Sequence, residues 1–388
     1  MLSMLTPVAM RHPNRLGLPA IDRRFWWIGL GLLTLLLRWL FSLNPYFAEV
    51  VYSRGMFLAV RWVWDYTLGW LPFPWLYLAV PLLVGGLIWQ GMRNLRRHRG
   101  LPLRNRLART LLGLGSFAAL VYTLFFFLWG FNYYRRPVEE HLQLPEQRMD
   151  EKALVREFQQ ATADLLAAYY DRPGNEDSAL TYQTLPADLE HTMREALEFT
   201  LHELDYPTPG RVRGRVFRPE GLLINLGASG IYIPFVGEGH VDAALPAASR
   251  PFTLAHELAH GYGFGDEGTC NFLAMLACEA SHNPVVRYAG RLVYWRHVAV
   301  AYRQLYPEAY ALFRPTLPPG ILADLDQINA VYLRYPGFFP EVSAQVYDAY
   351  LKGQGISEGL ANYDKVVRMI AAWRRQQQGV VSPDSTAQ

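Results

Sequence analysis

Residues 253–260 read Thr-Leu-Ala-His-Glu-Leu-Ala-His, and this stretch decides how the larger part of the chain is organised. The four-residue spacing places His256 and His260 on one face of a helix, one turn apart, where both could bind a Zn²⁺ ion. Glu257 lies about 100° round the helix from His256 and can act on water without binding the metal. The alternative is a buried helix whose histidines are hydrogen-bonded internally. The uncharged neighbours favour the metal site, because buried His and Glu side chains need partners.

A catalytic zinc site requires a third protein ligand and an open position for water. The motif is followed by Gly261-Tyr262-Gly263-Phe264-Gly265-Asp266-Glu267. The three glycines end the helix and let the chain turn back toward the metal. Two neighbouring carboxylates then compete for the third position, Asp266 and Glu267. The residue that does not bind the metal is expected to cap the next helix, which starts near Thr269.

The composition indicates a membrane protein. Of the 388 residues, 51% are apolar, 14% aromatic and only 18% charged, whereas soluble domains carry about 25% charged residues. These values exclude a disordered chain, a collagen-like chain and a small disulfide scaffold. The two cysteines, Cys270 and Cys278, are too far apart on a helix for a disulfide and are interpreted as buried thiols.

Three segments are apolar enough to cross a bilayer, at residues 25–43, 71–90 and 107–131. Each is close to the ~20 residues that a hydrocarbon core requires. No small-residue cleavage site follows the first segment, so it is predicted to be a retained span rather than a signal peptide. Residues 46–70 are amphipathic and rich in tryptophan and tyrosine. They predict a segment that lies in the outer interface.

Arginines fix the predicted orientation. The N-terminal arm and the connection between the second and third segments are both basic, the latter with no acidic residue: Arg93, Arg96, Arg97, Arg99, Arg104, Arg106 and Arg109. By the positive-inside rule both regions are cytoplasmic, and three crossings place the chain after Tyr133 outside the cytoplasm. A nucleic-acid patch is the alternative interpretation of the arginines. The net charge of +3 gives it no support, so no nucleic-acid partner is expected.

Residues 135–375 predict one mostly helical α+β domain with a small sheet, preceded by a membrane domain at 1–134. Helices are predicted at 150–170 and 187–203, and strands at 211–216, 222–226 and 230–236, punctuated by glycines. Residues 376–388 are polar and predict a disordered tail.

The chain resembles a family of bacterial membrane proteins with three N-terminal spans and a predicted zincin-type metallopeptidase domain. The resemblance covers most of the chain. It is carried by residues 129–135 (Trp-Gly-Phe-Asn-Tyr-Tyr-Arg), 230–235 (Gly-Ile-Tyr-Ile-Pro-Phe), 237–238, 256–260, 263–264, Glu267, 271–272 and 347–352 (Tyr-Asp-Ala-Tyr-Leu-Lys). It implies a zincin-like domain on the periplasmic side of the inner membrane, a bound Zn²⁺ and peptide or protein substrates of the cell envelope.

The resemblance also bears on the third ligand. Members of the family often read Glu-x-Glu-Ala-Asn-Phe where this chain has Glu267-Gly268-Thr269-Cys270-Asn271-Phe272. Thr269 replaces the second glutamate, which leaves Glu267 as the matching carboxylate and favours it over Asp266. The same replacement supports an alternative hypothesis, a zincin-fold scaffold or binding protein of the envelope without catalysis.

Other polar residues receive smaller roles. Asn271 is a candidate to orient a metal ligand. Glu238 and His240 are placed at the rim of the cleft or on the ordinary surface. The strand around residues 230–234 precedes the helix that carries His256 and His260. It is a candidate to pair with an extended substrate, as in zincins generally. Three tyrosines are candidates to stabilise an oxyanion: Tyr232, Tyr350 and Tyr363.

The leading expectation is a membrane-anchored zinc metallopeptidase with Glu257 as general base. Its ligands are His256, His260 and Glu267, with Asp266 as the rival. A zinc hydrolase acting on a non-peptide amide of the cell wall is a further alternative. Three spans with one marginal charge offer no transport pathway, and the sequence predicts no oligomeric state.

Overall fold

The computed structural model describes residues 22–145, 149–173, 177–338 and 365–381. The N-terminal part is helical throughout. Its elements are α1 (Arg23–Leu43), α2 (Pro45–Ala48), a π-helix (Glu49–Met56), α3 (Phe57–Thr67), α4 (Leu76–Arg97) and α5 (Leu103–Leu128), followed by a 3₁₀ helix (Gly130–Tyr134).

Three of these helices, α1, α4 and α5, are long and apolar enough to cross a membrane. They correspond to the three segments expected from hydropathy, with shifted ends. Residues 71–75 precede α4, while α4 and α5 extend into the arginine-rich region between them, because arginine is a good helix former. Helices α1 and α5 pack together, and Thr34 Oγ1 donates to Thr123 Oγ1 at 3.1 Å.

The remaining described chain is a mostly helical domain with one small sheet. Its elements are α6 (Val138–His141), α7 (Glu151–Asp171), α8 (Leu189–Glu203), β1 (Arg213–Phe217), α9 (Leu222–Asn225), β2 (Gly230–Ile233), β3 (Glu238–Asp242), α10 (Arg250–Gly261), α11 (Glu267–Ala280), α12 (Pro284–Leu305), α13 (Pro307–Phe313), α14 (Pro319–Arg334) and α15 (Lys365–Val381), with short 3₁₀ helices at Tyr182–Thr184 and Arg314–Thr316.

The sheet has the order β1-β3-β2. Strand β3 pairs in parallel with β1, Arg213 opposite Glu238, and antiparallel with β2, Ile231 opposite His240. Helix α10 packs across one face of this sheet, and α8, α11 and α12 enclose it in the domain core. Helix α10 is therefore held by the sheet on one side and by helices on its other sides.

One predicted strand is wrong, and one observed strand was not predicted. The segment predicted as a strand at 222–226 is helix α9, because the buried Asp242 carboxylate accepts hydrogen bonds from Gly221 N at 2.7 Å and Leu223 N at 2.9 Å and so caps a helical turn. The central strand β3 was not predicted. Its sequence, Glu-Gly-His-Val-Asp, reads as polar, yet all five residues are buried.

The segment 46–70 has two sides. One exposes Trp62, Tyr66 and Trp70, at 59%, 69% and 73% of their surface, as expected of an interfacial segment. The other packs on the domain, where the fully buried Arg61 donates to Gly237 O at 2.9 Å and forms an ion pair with Asp65. This segment is thus part of the support of the sheet.

Buried charges also join the residues after α5 to the π-helix that begins at Glu49. Arg135 donates to both carboxylate oxygens of Glu49, at 2.8 and 2.9 Å, and to Gly263 O at 2.8 Å. Burial opposes ionisation of Glu49, but Arg135 and Arg54 lower the pKa of this carboxyl. The ends of the membrane-type helices and the domain are consequently bound into one structure.

At the C-terminus, α15 runs to Val381. The first residues of the tail expected to be disordered, 376–381, are therefore helical. The rest of that tail and the motif at 347–352 lie outside the described residues.

Candidate metal centre

The end of helix α10 brings two histidines and one glutamate together. The helix begins at Arg250 with a proline in its first turn and ends at Gly261, and Gly263 then adopts a φ of +88°, which reverses the chain. Helix α11 starts at Glu267, directly beside the histidines. The Nε2 atoms of His256 and His260 are 3.0 Å apart. Glu267 Oε2 is 3.1 Å from His256 Nε2, and Glu267 Oε1 is 3.6 Å from His260 Nε2.

These distances, two of which end on different oxygens of Glu267, are close to those between the ligand atoms of a tetrahedral ion. Ligand atoms at about 2.1 Å from a zinc ion are separated from one another by roughly 3.4 Å. All three residues are buried, and together they form a group that could hold a metal ion. Two imidazoles and one carboxylate are ligands that zinc accepts, and they leave a fourth position open.

The Nδ1 atoms of both imidazoles face hydrogen-bond acceptors, which directs both Nε2 atoms toward a common point. His260 Nδ1 lies 2.7 Å from the backbone oxygen of Phe264, which can only accept, so Nδ1 carries the proton. His256 Nδ1 lies 2.8 Å from Asn271 Oδ1. Each Nε2 is thereby the nitrogen that would bind a metal ion, with Nδ1 protonated, as in metal-binding histidines generally.

The charges of the cluster favour a cation. Burial by itself raises the pKa of Glu267, but His260 and His256 lower it well below its usual range. Burial lowers the pKa of His260, whereas Cys270 and Glu267 raise it well above its usual value. Glu267 is therefore an ionised carboxylate, and the positive charge that balances it is either a proton on His260 or a bound cation. Cys270 itself is a buried free thiol, as is Cys278, in line with the sequence interpretation.

Asp266 occupies a different place from Glu267. Its Oδ1 accepts from Thr269 N at 2.7 Å, which caps α11, and lies 3.1 Å from Lys365 Nζ. The carboxylate is thus engaged outside the histidine pair. The structure accordingly groups Glu267, and not Asp266, with the two histidines.

Glu257 lies between α10 and the sheet. It is 3% exposed, and its Oε2 has no hydrogen-bond partner among the described residues. Glycines make room for it: a Cβ at Gly230 would lie 2.4 Å from Glu257 Oε1, and one at Gly239 would lie 2.8 Å from Glu257 Cβ. Burial raises the pKa of Glu257 to about 7, although His256 and His260 lower it.

The expectation for Glu238 and His240 is wrong. Both are buried in the central strand, at 3% and 0% exposure, and belong neither to a rim nor to the surface. Side chains alternate along a strand, so Gly239 faces Glu257 and its two neighbours face away. Glu238 Oε2 accepts there from Trp75 N at 2.8 Å, and Glu238 Oε1 from Arg215 Nε at 3.2 Å.

Of the three oxyanion candidates, Tyr232 is near the centre. Its hydroxyl accepts from Arg61 Nη1 at 3.1 Å, and its ring centroid lies 5.8 Å from that of Trp129. Tyr350 and Tyr363 lie outside the described residues.

Sequence reasoning missed three supporting groups. The indole Nε1 of Trp129 donates to His260 O at 2.7 Å, Arg61 holds Tyr232, and the carbonyl of Phe264 orients His260. The buried positions of Trp129 and Arg61 depend on contacts between distant parts of the chain, and a backbone carbonyl has no signature in a sequence. The available signal was the motif at 129–135, which contains Trp129 but does not reveal its partner.

Fold and site together define a class: a protein with three helices that could span a membrane and a mostly helical domain whose His256, His260 and Glu267 could hold a metal ion. A family model described as "Protein of unknown function (DUF3810)" matches residues 52–371, and the chain belongs to this family. No curated protein and no solved structure matches the chain significantly. The matched range therefore includes both the segment around Arg61 and the candidate metal centre.

Proposed function

We propose that the chain is a membrane-anchored zinc-dependent metallopeptidase. The observation that carries this proposal is the convergence of His256 Nε2, His260 Nε2 and Glu267 on one point while both Nδ1 atoms face acceptors. Glu257 adds a buried carboxylate oxygen with no other partner among the described residues. A structural cluster would not require an unpartnered carboxylate beside a set of metal donors.

The chemistry follows from the positions of the residues. A zinc ion bound by the three ligands would supply a Lewis acid that polarises a peptide carbonyl and lowers the pKa of water. Glu257 accepts the proton of the attacking water at Oε2 and delivers it to the nitrogen of the departing amine. Asn271 and the Phe264 carbonyl keep the imidazole rings oriented. Strand β2, at the edge of the described sheet, is placed to pair with an extended peptide.

The proposed setting is the bacterial inner membrane. The arginine-rich connection between α4 and α5 lies on the cytoplasmic side by the positive-inside rule. The N-terminus is then cytoplasmic, and the metal centre lies on the periplasmic side. The proposed substrates are peptides or proteins of the cell envelope. The bilayer is the proposed surroundings of α1, α4 and α5.

The test uses the full chain, because Trp129, Arg61 and Trp75 all support the site from outside residues 135–388. Zinc per chain is measured by elemental analysis on purified protein in nanodiscs, without added metal, for the wild type, Glu257→Gln and His256→Ala. Cleavage of a mixed peptide library is followed by mass spectrometry.

We expect one zinc ion per chain and cleavage from the wild type, zinc without cleavage from Glu257→Gln, and neither from His256→Ala. Zinc with no cleavage by the wild type would instead support the non-catalytic scaffold. A folded chain that binds no zinc would refute the metal centre.

A further inference from the structure

The metal centre is bonded directly to the ends of two candidate spans. Trp129 is the first residue after α5, and its indole Nε1 donates to the carbonyl of the ligand His260 at 2.7 Å. Trp75 is the last residue before α4, and its backbone N donates to Glu238 of the central strand at 2.8 Å. Helix α10 and the sheet are therefore each hydrogen-bonded directly to a residue that adjoins a candidate span.

Further contacts hold both sides of the site at this level. Tyr77, in the first turn of α4, packs against Phe217 of β1 with ring centroids 5.6 Å apart, and its hydroxyl accepts from Arg218 N at 2.8 Å. On the other side, Gly265 approaches Tyr133 so closely that a Cβ would lie 2.7 Å from its ring. On both sides, the domain around the site is therefore in direct contact with residues in or next to a candidate span.

Strand β2, the edge where a peptide would pair, lies at the same level as the ends of the candidate spans. Strand β2 pairs only with β3 in the described sheet. The ring centroid of Tyr232 in β2 is 5.8 Å from that of Trp129, immediately after α5. Ile231 and Phe235 expose 41% and 39% of their surface beside this edge. Exposed aromatic residues that gather at bilayer interfaces, Trp62, Tyr66 and Trp70, occupy the adjoining segment.

We infer that the substrates are polypeptides anchored in the same membrane, hydrolysed in the segment where they leave the bilayer. This inference rests on the proposed peptidase function and on insertion of α1, α4 and α5. One water is consumed: its oxygen forms the new carboxyl group, the C–N bond breaks, and the amine nitrogen takes the proton. The bilayer supplies the substrate's position, because anchoring confines it to the layer that contains β2.

Reach sets the expected cleavage position. An extended chain covers about 3.4 Å per residue, so a bond about five residues from the bilayer lies roughly 17 Å above it. A bond within about five residues of the bilayer therefore reaches the layer that contains Trp129 and strand β2. A substrate whose cleavable segment is displaced by about 30 flexible residues loses most of this advantage, since effective concentration falls with linker length.

The experiment compares one peptide library in three contexts, with the full chain in nanodiscs. The library segment is fused to a single transmembrane helix through a spacer of about five residues, through a Gly-Ser spacer of about 30 residues, or left free in solution. Products are identified by mass spectrometry. The matched control is Glu257→Gln, which keeps the zinc ligands. A photo-crosslinking residue at Ile231 in that control reports binding beside β2 independently of turnover.

We expect kcat/KM for the closely anchored library to exceed that of the free library by at least about tenfold, with crosslinking at Ile231. The long-spacer library should be cleaved about tenfold less well than the closely anchored one, since effective concentration falls roughly as the −3/2 power of linker length. Equal cleavage of all three libraries would overturn the inference and leave the peptidase function standing. Absence of cleavage in every context, with zinc bound, would refute the peptidase function and the inference with it.

Discussion

The indole Nε1 of Trp129 donates a 2.7 Å hydrogen bond to the backbone oxygen of His260, so the first residue after the third candidate span holds the last turn of helix α10. The final carbonyls of a helix have no partner within the helix. Here Trp129 supplies one, in addition to Gly263 N at 3.0 Å. The candidate metal centre and the candidate spans are therefore joined in one structural unit.

Trp129→Phe should weaken this unit. The ring is largely retained, but the His260 carbonyl loses one donor and keeps Gly263 N at 3.0 Å, which costs about 0.5–1.5 kcal/mol. We expect a lower thermal midpoint and weaker zinc retention against a chelator, both measured on the full chain in nanodiscs. Trp89→Phe is the control, because Trp89 is 58% exposed on α4. Equal midpoints for the two variants would show that the hydrogen bond contributes nothing.

Glu267→Gln and Asp266→Asn should separate the two neighbouring carboxylates. The first removes the charged ligand and should abolish stoichiometric zinc. The second keeps an N-cap side chain and loses a part-exposed ion pair with Lys365, worth at most about 1 kcal/mol. We expect zinc content near that of the wild type for Asp266→Asn. Elemental analysis decides, and the reverse pattern would move the third ligand to Asp266.

Asn271→Leu should lower zinc affinity without touching a ligand. Asn271 Oδ1 is the acceptor that keeps the His256 proton on Nδ1. Loss of such a partner reduces metal affinity by about 10–100-fold. The measurement is a competition titration with a chromogenic chelator, and Asn271→Asp, which retains an acceptor oxygen, is the matched control. An unchanged affinity in Asn271→Leu would contradict the orienting role.

Gly230→Ala should reduce turnover while zinc stays bound. The new Cβ would lie 2.4 Å from Glu257 Oε1, so the carboxylate must shift. A displacement of about 1 Å at a catalytic group can cost about 100-fold in rate. Peptide cleavage and zinc content are measured together. Gly85→Ala, at a position with open space around it, should change neither.

His240 should make the fold less stable in acid. Burial lowers its pKa to about 4, below the value of about 6.5 in an unfolded chain. Between these pH values the unfolded chain binds more protons, so stability falls as the pH drops through this window and is level above it. Glu238 and Arg215 border the imidazole and Phe217 packs on it.

His240→Phe removes this titration and should flatten the fall of the thermal midpoint between about pH 6.5 and pH 4. His297, whose pKa burial also lowers to about 4, contributes a slope of the same sign that remains in the variant. An identical pH profile in the variant would exclude His240 as a contributor.

Local sequence determined a large share of this architecture. Hydropathy located α1, α4 and α5, since about 20 apolar residues in a row have few other uses. Helical spacing placed His256 and His260 on one face, and the glycines after them predicted the reversal at Gly263. These features depend on neighbours within a few residues, which is why they are legible in the chain itself.

Tertiary structure decided the rest. Strand β3 carries charged side chains, and only its partners Arg215 and Trp75 make Glu238 acceptable in a buried strand. Capping by Asp242, far along the chain, turned an apolar run into helix α9. The choice between Asp266 and Glu267 depended on where α11 begins. The sequence by itself therefore determined which residues could bind a metal, while long-range contacts decided which of them meet and how close to the spans they lie.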